Sequence, residues 1–136
     1  MEKKLIWLDL EMTGLDPNAE RIIEIYTCIT NEDLTEIIEG PGMVISQSKE
    51  LIDGMDEWNQ EHHSASGLID EVLASKVSEQ EAEQRTLEFI KQHVGKNESP
   101  LCGNTVWHDR KFLSLYMPEL EDCLLYTSDA ADDETS

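Results

Sequence analysis

Leu5-Ile6-Trp7-Leu8-Asp9-Leu10-Glu11-Met12-Thr13-Gly14 is the stretch that decides how the rest of this chain is read. Apolar residues recur at 6, 8, 10 and 12, the period of a β-strand, and Thr13-Gly14 ends the run in a turn. Successive strand side chains point to opposite faces, so Asp9 and Glu11 share one face about 7 Å apart while Ile6, Leu8, Leu10 and Met12 fill the other. Two carboxylates aimed at one spot are costly unless water or a cation compensates, and an all-oxygen pair suits a hard dication such as Mg2+ or Mn2+. The same alternation also suits the solvent face of an antiparallel strand, where acids serve only solubility.

With 136 residues the chain is long enough for one modest core and too short for two domains. Thirty Asp and Glu against ten Lys and Arg give a formal net charge of −20. That excludes broad electrostatic gripping of a long polyanion, which needs many phosphates neutralised by basic groups. A phosphate-bearing ligand must then be short, or be held through metal. Cys28, Cys102 and Cys123 are odd in number, far apart and form no Cys-x-x-Cys pair, so they suggest neither a disulfide framework nor a zinc ribbon and read as reduced thiols of a cytosolic protein. Asp9 and Glu11 interrupt the N-terminal apolar stretch before a secretory core could form, and no apolar run approaches spanning length, so neither export nor a membrane is expected.

Outward from the first strand, Leu15-Asp16-Pro17-Asn18 is turn chemistry, and residues 21–30, rich in isoleucine, predict a second, largely buried strand. Leu34 to Ile38 and Met43 to Ser46 predict two β pieces split by Gly40-Pro41-Gly42, which favours a bulge or an edge. From Lys49 the period turns helical. Leu68, Ile69, Val72 and Leu73 fall at helical spacing, and Ser78-Glu79-Gln80-Glu81 has the form of a capping box. The helix it opens carries Ala82, Thr86, Phe89, Ile90 and His93-Val94 on one stripe and stops at Gly95 and Pro100. A short strand at Leu101 to Gly103 and a helix from about Thr105 to Tyr116, closed by Pro118, complete the pattern. Strands first, then strand and helix in alternation, predict an α/β fold with a mixed sheet flanked by helices.

On the helix beginning near Thr105, Asp109 shares a stripe with Phe112, Leu113 and Tyr116 and so faces inward, while Arg110 and Lys111 face out. An inward carboxylate needs a partner: a nearby backbone group, Arg21, or a cation shared with Asp9 and Glu11. Crowded carboxylates raise one another's pKa, which makes metal binding strongly pH dependent.

Five stretches now stand together: residues 7–17; Met55-Asp56-Glu57-Trp58-Asn59; His63-Ser64-Ala65-Ser66-Gly67-Leu68; Gly103-Asn104 with Asp109-Arg110-Lys111-Phe112-Leu113; and Tyr116-Met117-Pro118-Glu119-Leu120-Glu121. Jointly they resemble the oligoribonucleases, a family of DEDD-type 3′-to-5′ exonucleases, over residues 3–121. The resemblance implies a ribonuclease-H-like fold and removal of mononucleotides from the 3′ end of very short RNAs, down to dinucleotides. It also implies two divalent ions, Mg2+ or Mn2+, a homodimer and a cytoplasmic location. Asp9, Glu11 and Asp109 match three of the four catalytic, metal-binding acids. Leu15 matches the apolar residue that wedges against substrate bases, Trp58 and His63 match groups beside the 3′ nucleotide or the bases, and Met12, Thr13, Gly14, Asn104 and Thr105 complete the implied substrate-binding set. Without the resemblance, Leu15 and Trp58 would read as ordinary packing. His62 and His63 would read as surface histidines which, as neighbours on a helix, cannot both turn to one metal, against a zinc pair.

The chain also departs from the family. Beyond Glu121 the family continues through a further strand, a Tyr-Arg element that reaches across the dimer, and a last helix with a histidine and the fourth acid, and none of these follows here. Residues 1–121 therefore read as an exonuclease domain incomplete at its C-terminus, and residues 122–136 as a disordered, non-native tail. His108 precedes Asp109 by one position and is not taken as the missing base. In the family reaction a histidine takes the proton of metal-activated water, and losing such a base costs roughly 10²- to 10⁴-fold in rate, so this chain is expected to be impaired. The alternatives are a DNA exonuclease of the same superfamily, since three acids do not choose the sugar, and a non-catalytic fragment that only binds nucleotides.

Overall fold

Strand β1 (Lys4–Met12) occupies the middle of the sheet, in a computed structural model that describes residues 3–103 and 105–126. It pairs antiparallel with β2 (Ile22–Asn31), which pairs antiparallel with β3 (Ile37–Val44). Strand β4 (Leu101–Cys102) adds in parallel on the other side of β1, giving the order β3-β2-β1-β4. Ile6, Leu8 and Leu10 are buried as the alternation dictates, and Asp9 and Glu11 take the opposite face. The Trp7 indole N–H donates to Thr30 Oγ1 at 2.8 Å, tying the start of β1 to the end of β2.

Six helices surround the sheet: α1 (Lys49–Asp53), α2 (Glu57–Ala65), α3 (Leu68–Ala74), α4 (Glu79–His93), α5 (Val106–Tyr116) and α6 (Pro118–Cys123), counted among the described residues. The expected cap opens α4, where the Ser78 hydroxyl accepts from the Glu81 N–H at 3.0 Å. Its Ala82, Leu87 and Ile90 pack with the β1 isoleucine and leucines, with Ile25 and Ile29 of β2, and with Phe112 and Leu113 of α5 in the main core. Glu83, also buried, is satisfied by accepting the Leu120 N–H at 3.1 Å in the first turn of α6, the helix end that favours a negative charge.

A second, smaller cluster sits beneath α1 to α3, formed by Ile23, Ile52, Met55, Leu68 and Val72. It depends on a bulge. Glu11 pairs with Glu24 but Met12 pairs with Ile22, leaving Ile23 as the extra residue. Bulging at that point seats Ile23 in the smaller cluster and brings α2 and α3 against the end of β1 where Glu11 lies.

Two expectations are corrected and one, at Pro118, is borne out and extended. The two β pieces around Gly40-Pro41-Gly42 are one strand, because β3 is an edge, where a proline without an N–H is tolerated, and the register shift falls opposite Tyr26 and Cys28 instead of splitting the strand. Pro118 both ends α5 and opens α6, where its missing N–H costs nothing at the first helical position. The tail expected from residue 122 does not start there: Asp122 and Cys123 finish α6, Cys123 and Leu124 are buried, and the Leu101 N–H donates to the Leu125 carbonyl at 2.9 Å along the outer edge of β4. An apolar pair that has no periodicity in sequence finds its partner across space. The rest of that expected tail, residues 127–136, lies outside the described residues.

Gly40 shows how closely β3 meets α4, since a Cβ there would stand 2.5 Å from both the Thr27 carbonyl oxygen and the Phe89 ring. Gly40→Ala is therefore expected to lose about 1–3 kcal/mol by overpacking. Gly42→Ala, whose Cβ would find only the Tyr26 ring at 3.3 Å, should cost much less. Urea denaturation of the two variants checks this, and equal midpoints would contradict it.

Candidate active site

Asp9 stands opposite Tyr26, and Glu11 opposite Glu24, so all four side chains share the non-core face of the β1–β2 ladder. The Glu24 carboxyl is pushed up by burial and by the charges of Glu11, Glu71 and Asp9. Asp109 arrives from the first turn of α5, whose N-cap is Thr105, and is only 3% exposed. The Thr105 hydroxyl donates to Asp109 Oδ1 at 3.2 Å and its carbonyl accepts the Asp109 N–H at 2.8 Å. Burial pushes the Asp109 carboxyl from its ordinary 3.8 to about 7, against the stabilising Thr105 bond and with further upward pressure from the Asp9 and Glu11 charges.

Two arginines that could offer Asp109 a counter-charge are engaged elsewhere. Arg21 pairs with Glu79 at 2.7 Å and lies over the Tyr116 ring at 4.3 Å, while Arg110 pairs with Glu121 at 3.0 Å. An all-oxygen set in which one carboxyl is buried and protonated near neutrality fits a hard dication that would displace that proton.

Beside Glu11 opens a cleft of about 480 Å³ lined by Leu10, Glu11, Met12, Gly14, Leu15, Asp56, Trp58, Asn59 and His63. Leu15 and Trp58 are 78% and 66% exposed, so two large apolar side chains stand in solvent at this cleft instead of packing. Neither is left to chance. The Tyr116 hydroxyl donates to the Pro17 carbonyl at 2.5 Å and holds the turn that carries Leu15. Asp56 caps α2 by accepting the Asn59 N–H at 2.8 Å, and the Trp58 indole stacks on His62 at 4.7 Å with 12° between planes. His63, 2% exposed, has Nε2 at 2.9 Å from the Met12 carbonyl oxygen, a contact that places the proton on Nε2.

The structure thus gathers Met12, Gly14, Leu15, Trp58 and His63 around one cleft, and Asp109 lies near enough to Asp9 and Glu11 to feel their charges. Thr13 is an exception: it is fully buried, its hydroxyl donating to Glu20 Oε1 at 3.0 Å and accepting the Arg21 N–H at 3.0 Å, so that side chain holds the turn and faces no ligand. Thr105 is exposed at the head of α5, and Asn104 lies outside the described residues. His108, half-buried, tilts against Phe112 with centroids 5.3 Å apart.

The pair His62 and His63 departs from expectation. Adjacent helical residues diverge by about 100° around the axis, yet the two rings come to 5.1 Å, and one ligating atom each from Glu11, His62 and His63 lie within 4.8 Å of one another. The length of the imidazole arms and the close approach of α2 to β1 overcome the divergence. Asp56, Asn59, Glu24 and Glu71 were not foreseen as neighbours of the site, and only the Trp58/His62 spacing of four residues hinted at the contact that fixes Trp58.

A family model described as an exonuclease, RNase_T, matches residues 6–131. Product-bound exonuclease I superposes with a TM-score of 0.67 at 13% identity, covering 93% of this chain and 30% of that one. Escherichia coli exonuclease I in complex with a dT13 oligonucleotide gives 0.64 at 15% identity over 92% and 27%. These likenesses show the ribonuclease-H-like fold, and the family model over most of the chain makes it an exonuclease. The oligoribonuclease of Shewanella loihica is 52% identical over 125 residues, 92% of this chain and 69% of that protein. That of Bordetella pertussis is 53% identical over 120 residues, 88% and 66%. The chain belongs to the oligoribonuclease family and spans about two thirds of the length of these relatives.

Because Asp109 binds a proton in the folded state that it lacks when unfolded, its contribution to stability is fully present below pH 3.8 and lost as pH rises through about 7. The melting temperature of the metal-free chain is expected to fall across this window, and Asp109→Asn to flatten that fall and raise the melt at the alkaline end. Mn2+ should stabilise the wild type more above the window than within it. An identical pH slope in wild type and Asp109→Asn would show that this carboxyl does not titrate there.

Proposed function

We propose that this chain acts as a 3′-to-5′ exoribonuclease on RNAs of a few nucleotides, releasing mononucleotides by metal-dependent hydrolysis. The observation that carries the proposal is the cleft beside Glu11, at whose wall Leu15 and Trp58 stand exposed. Apolar surfaces of this size, held in place at a cleft rather than packed, suit bases and not a continuous backbone. The homodimer and the cytoplasmic setting that the resemblance implies belong to the same proposal. No helix among the described residues is long and apolar enough to cross a membrane.

Asp9, Glu11 and Asp109 would hold two divalent ions, Mg2+ or Mn2+, which when bound supply an activated water and stabilise charge on the attacking and leaving oxygens. The chain's own residues do the positioning. Thr105 orients Asp109 through its hydroxyl and, by favouring the ionised form, readies it as a ligand. Trp58 offers an indole face to a base, held by the stack on His62. Leu15, on the turn anchored by Tyr116, offers an apolar edge to wedge against the bases. His63 is fixed in direction by the Met12 carbonyl, so its ring keeps one orientation at the wall of the cleft. A substrate with one or two phosphates needs little neutralisation, and the net charge of −20 repels longer RNA.

Purified chain with Mn2+ is expected to consume a labelled RNA dinucleotide faster than a long RNA, and a DNA dinucleotide run in parallel tests the sugar. Trp58→Ala should weaken dinucleotide binding by ~1–3 kcal/mol, the worth of one base stack, and Asp109→Asn should abolish turnover while the protein still melts cooperatively. Equal rates on short and long RNA, or full activity in Asp109→Asn, would refute the assignment.

A further inference from the structure

We propose that Glu11, His62 and His63 form a second cation site, selective for borderline metals of the Zn2+ class over Mg2+, whose occupation draws Glu11 away from the nucleotide cleft. Glu11, Glu24, His62, His63, Ser66, Leu68 and Glu71 line a separate pocket of about 160 Å³ between the end of β1 and helices α2 and α3. Glu11 and His63 also line the larger cleft, so the two spaces share one wall. Two imidazoles and a carboxylate are the donor set that tetrahedral Zn2+ takes readily and that Mg2+, which prefers oxygen, does not.

The geometry is close to that needed. One ligating atom from each of Glu11, His62 and His63 lies within 4.8 Å of the others, and Zn2+ bonds of about 2.0–2.2 Å require those atoms to draw in by roughly an ångström. His62 is exposed and Glu11 half-buried, so both have room to move. His63 is the fixed member, and the bond from its Nε2 to the Met12 carbonyl is the outer contact that ligating imidazoles commonly make, leaving Nδ1 with a lone pair. Glu24 and Glu71 complete the wall and concentrate negative charge on the same small volume, which a dication would neutralise. Since Glu11 serves both spaces, an ion here antagonises the pair of hard cations expected at Asp9, Glu11 and Asp109. That antagonism rests on the proposed function; binding of the borderline metal does not.

Co2+ serves as a coloured stand-in for Zn2+. Titrating the metal-free chain with Co2+ should give a visible ligand-field band without a thiolate-to-metal band, which rules out Cys28, Cys102 and Cys123 as the ligands, and Zn2+ should displace it. His62→Phe keeps a ring to stack on Trp58 and removes the nitrogen; it should weaken Co2+ by more than the roughly 10- to 100-fold typical of losing an outer-shell partner. In the same variant, Mn2+ binding followed by electron paramagnetic resonance should persist and take more Zn2+ to displace than in the wild type. No Co2+ binding, a thiolate band, or Co2+ binding unchanged in His62→Phe would overturn the site. Co2+ behaviour as expected with no Mn2+ bound in either protein would retain the borderline-metal site and refute both the antagonism and the hard-cation reading of Asp9, Glu11 and Asp109.

Discussion

Because Ile6, Leu8 and Leu10 are sealed into the core between β2, β4 and the helices, the pleat of β1 leaves Asp9 and Glu11 only one direction to face. A one-residue slip would bury both acids and expose three large aliphatic side chains, so the register is held by the whole of the main core. The bulge at Ile23 then ends this regular ladder just where Glu11 sits. It commits Ile23 to the smaller cluster and sets α2, with Trp58 and His63, beside Glu11. One strand thus aligns the carboxylates, and the irregularity in its neighbour brings up the wall of the cleft.

Asp109 adds a tension of a different kind. Folding buries a carboxyl near two others, and the protein compensates only in part through the Thr105 hydroxyl. A side chain that destabilises the metal-free fold around neutrality makes sense at a cation site, where the ion supplies what the protein withholds. Glu83 is the instructive contrast. It is equally buried, yet it accepts a backbone N–H at the start of α6 and serves the fold alone.

Negative charge is concentrated around the cleft and again in the smaller pocket behind it, where Glu24 and Glu71 face His62 and His63. In such surroundings affinity for a nucleotide has to come from apolar and aromatic faces and from bound cations, with little help from lysine or arginine. In the proposed reading Leu15 and Trp58 meet that requirement at a cost in exposed apolar surface, and the Tyr116–Pro17 and Trp58–His62 contacts hold the turn and the ring that carry them.

The alternation of β1, the cap at Ser78, the inward stripe of Asp109 and the strand-then-helix order were all legible in the sequence, because each rests on a local period or on a side chain bonding a backbone group a few residues away. Short-range rules could not see that β3 runs unbroken through Pro41, that Cys123, Leu124 and Leu125 dock against β4, or that Thr13 turns inward to Glu20 and Arg21. Nor could they bring His62 to Glu11 across fifty residues of chain, since that meeting depends on where the bulge at Ile23 sets α2. The sequence by itself determined which residues face the core and which acids face each other, because periodicity is local. Only the tertiary structure decided which distant side chains share a wall, because that is settled by packing between elements.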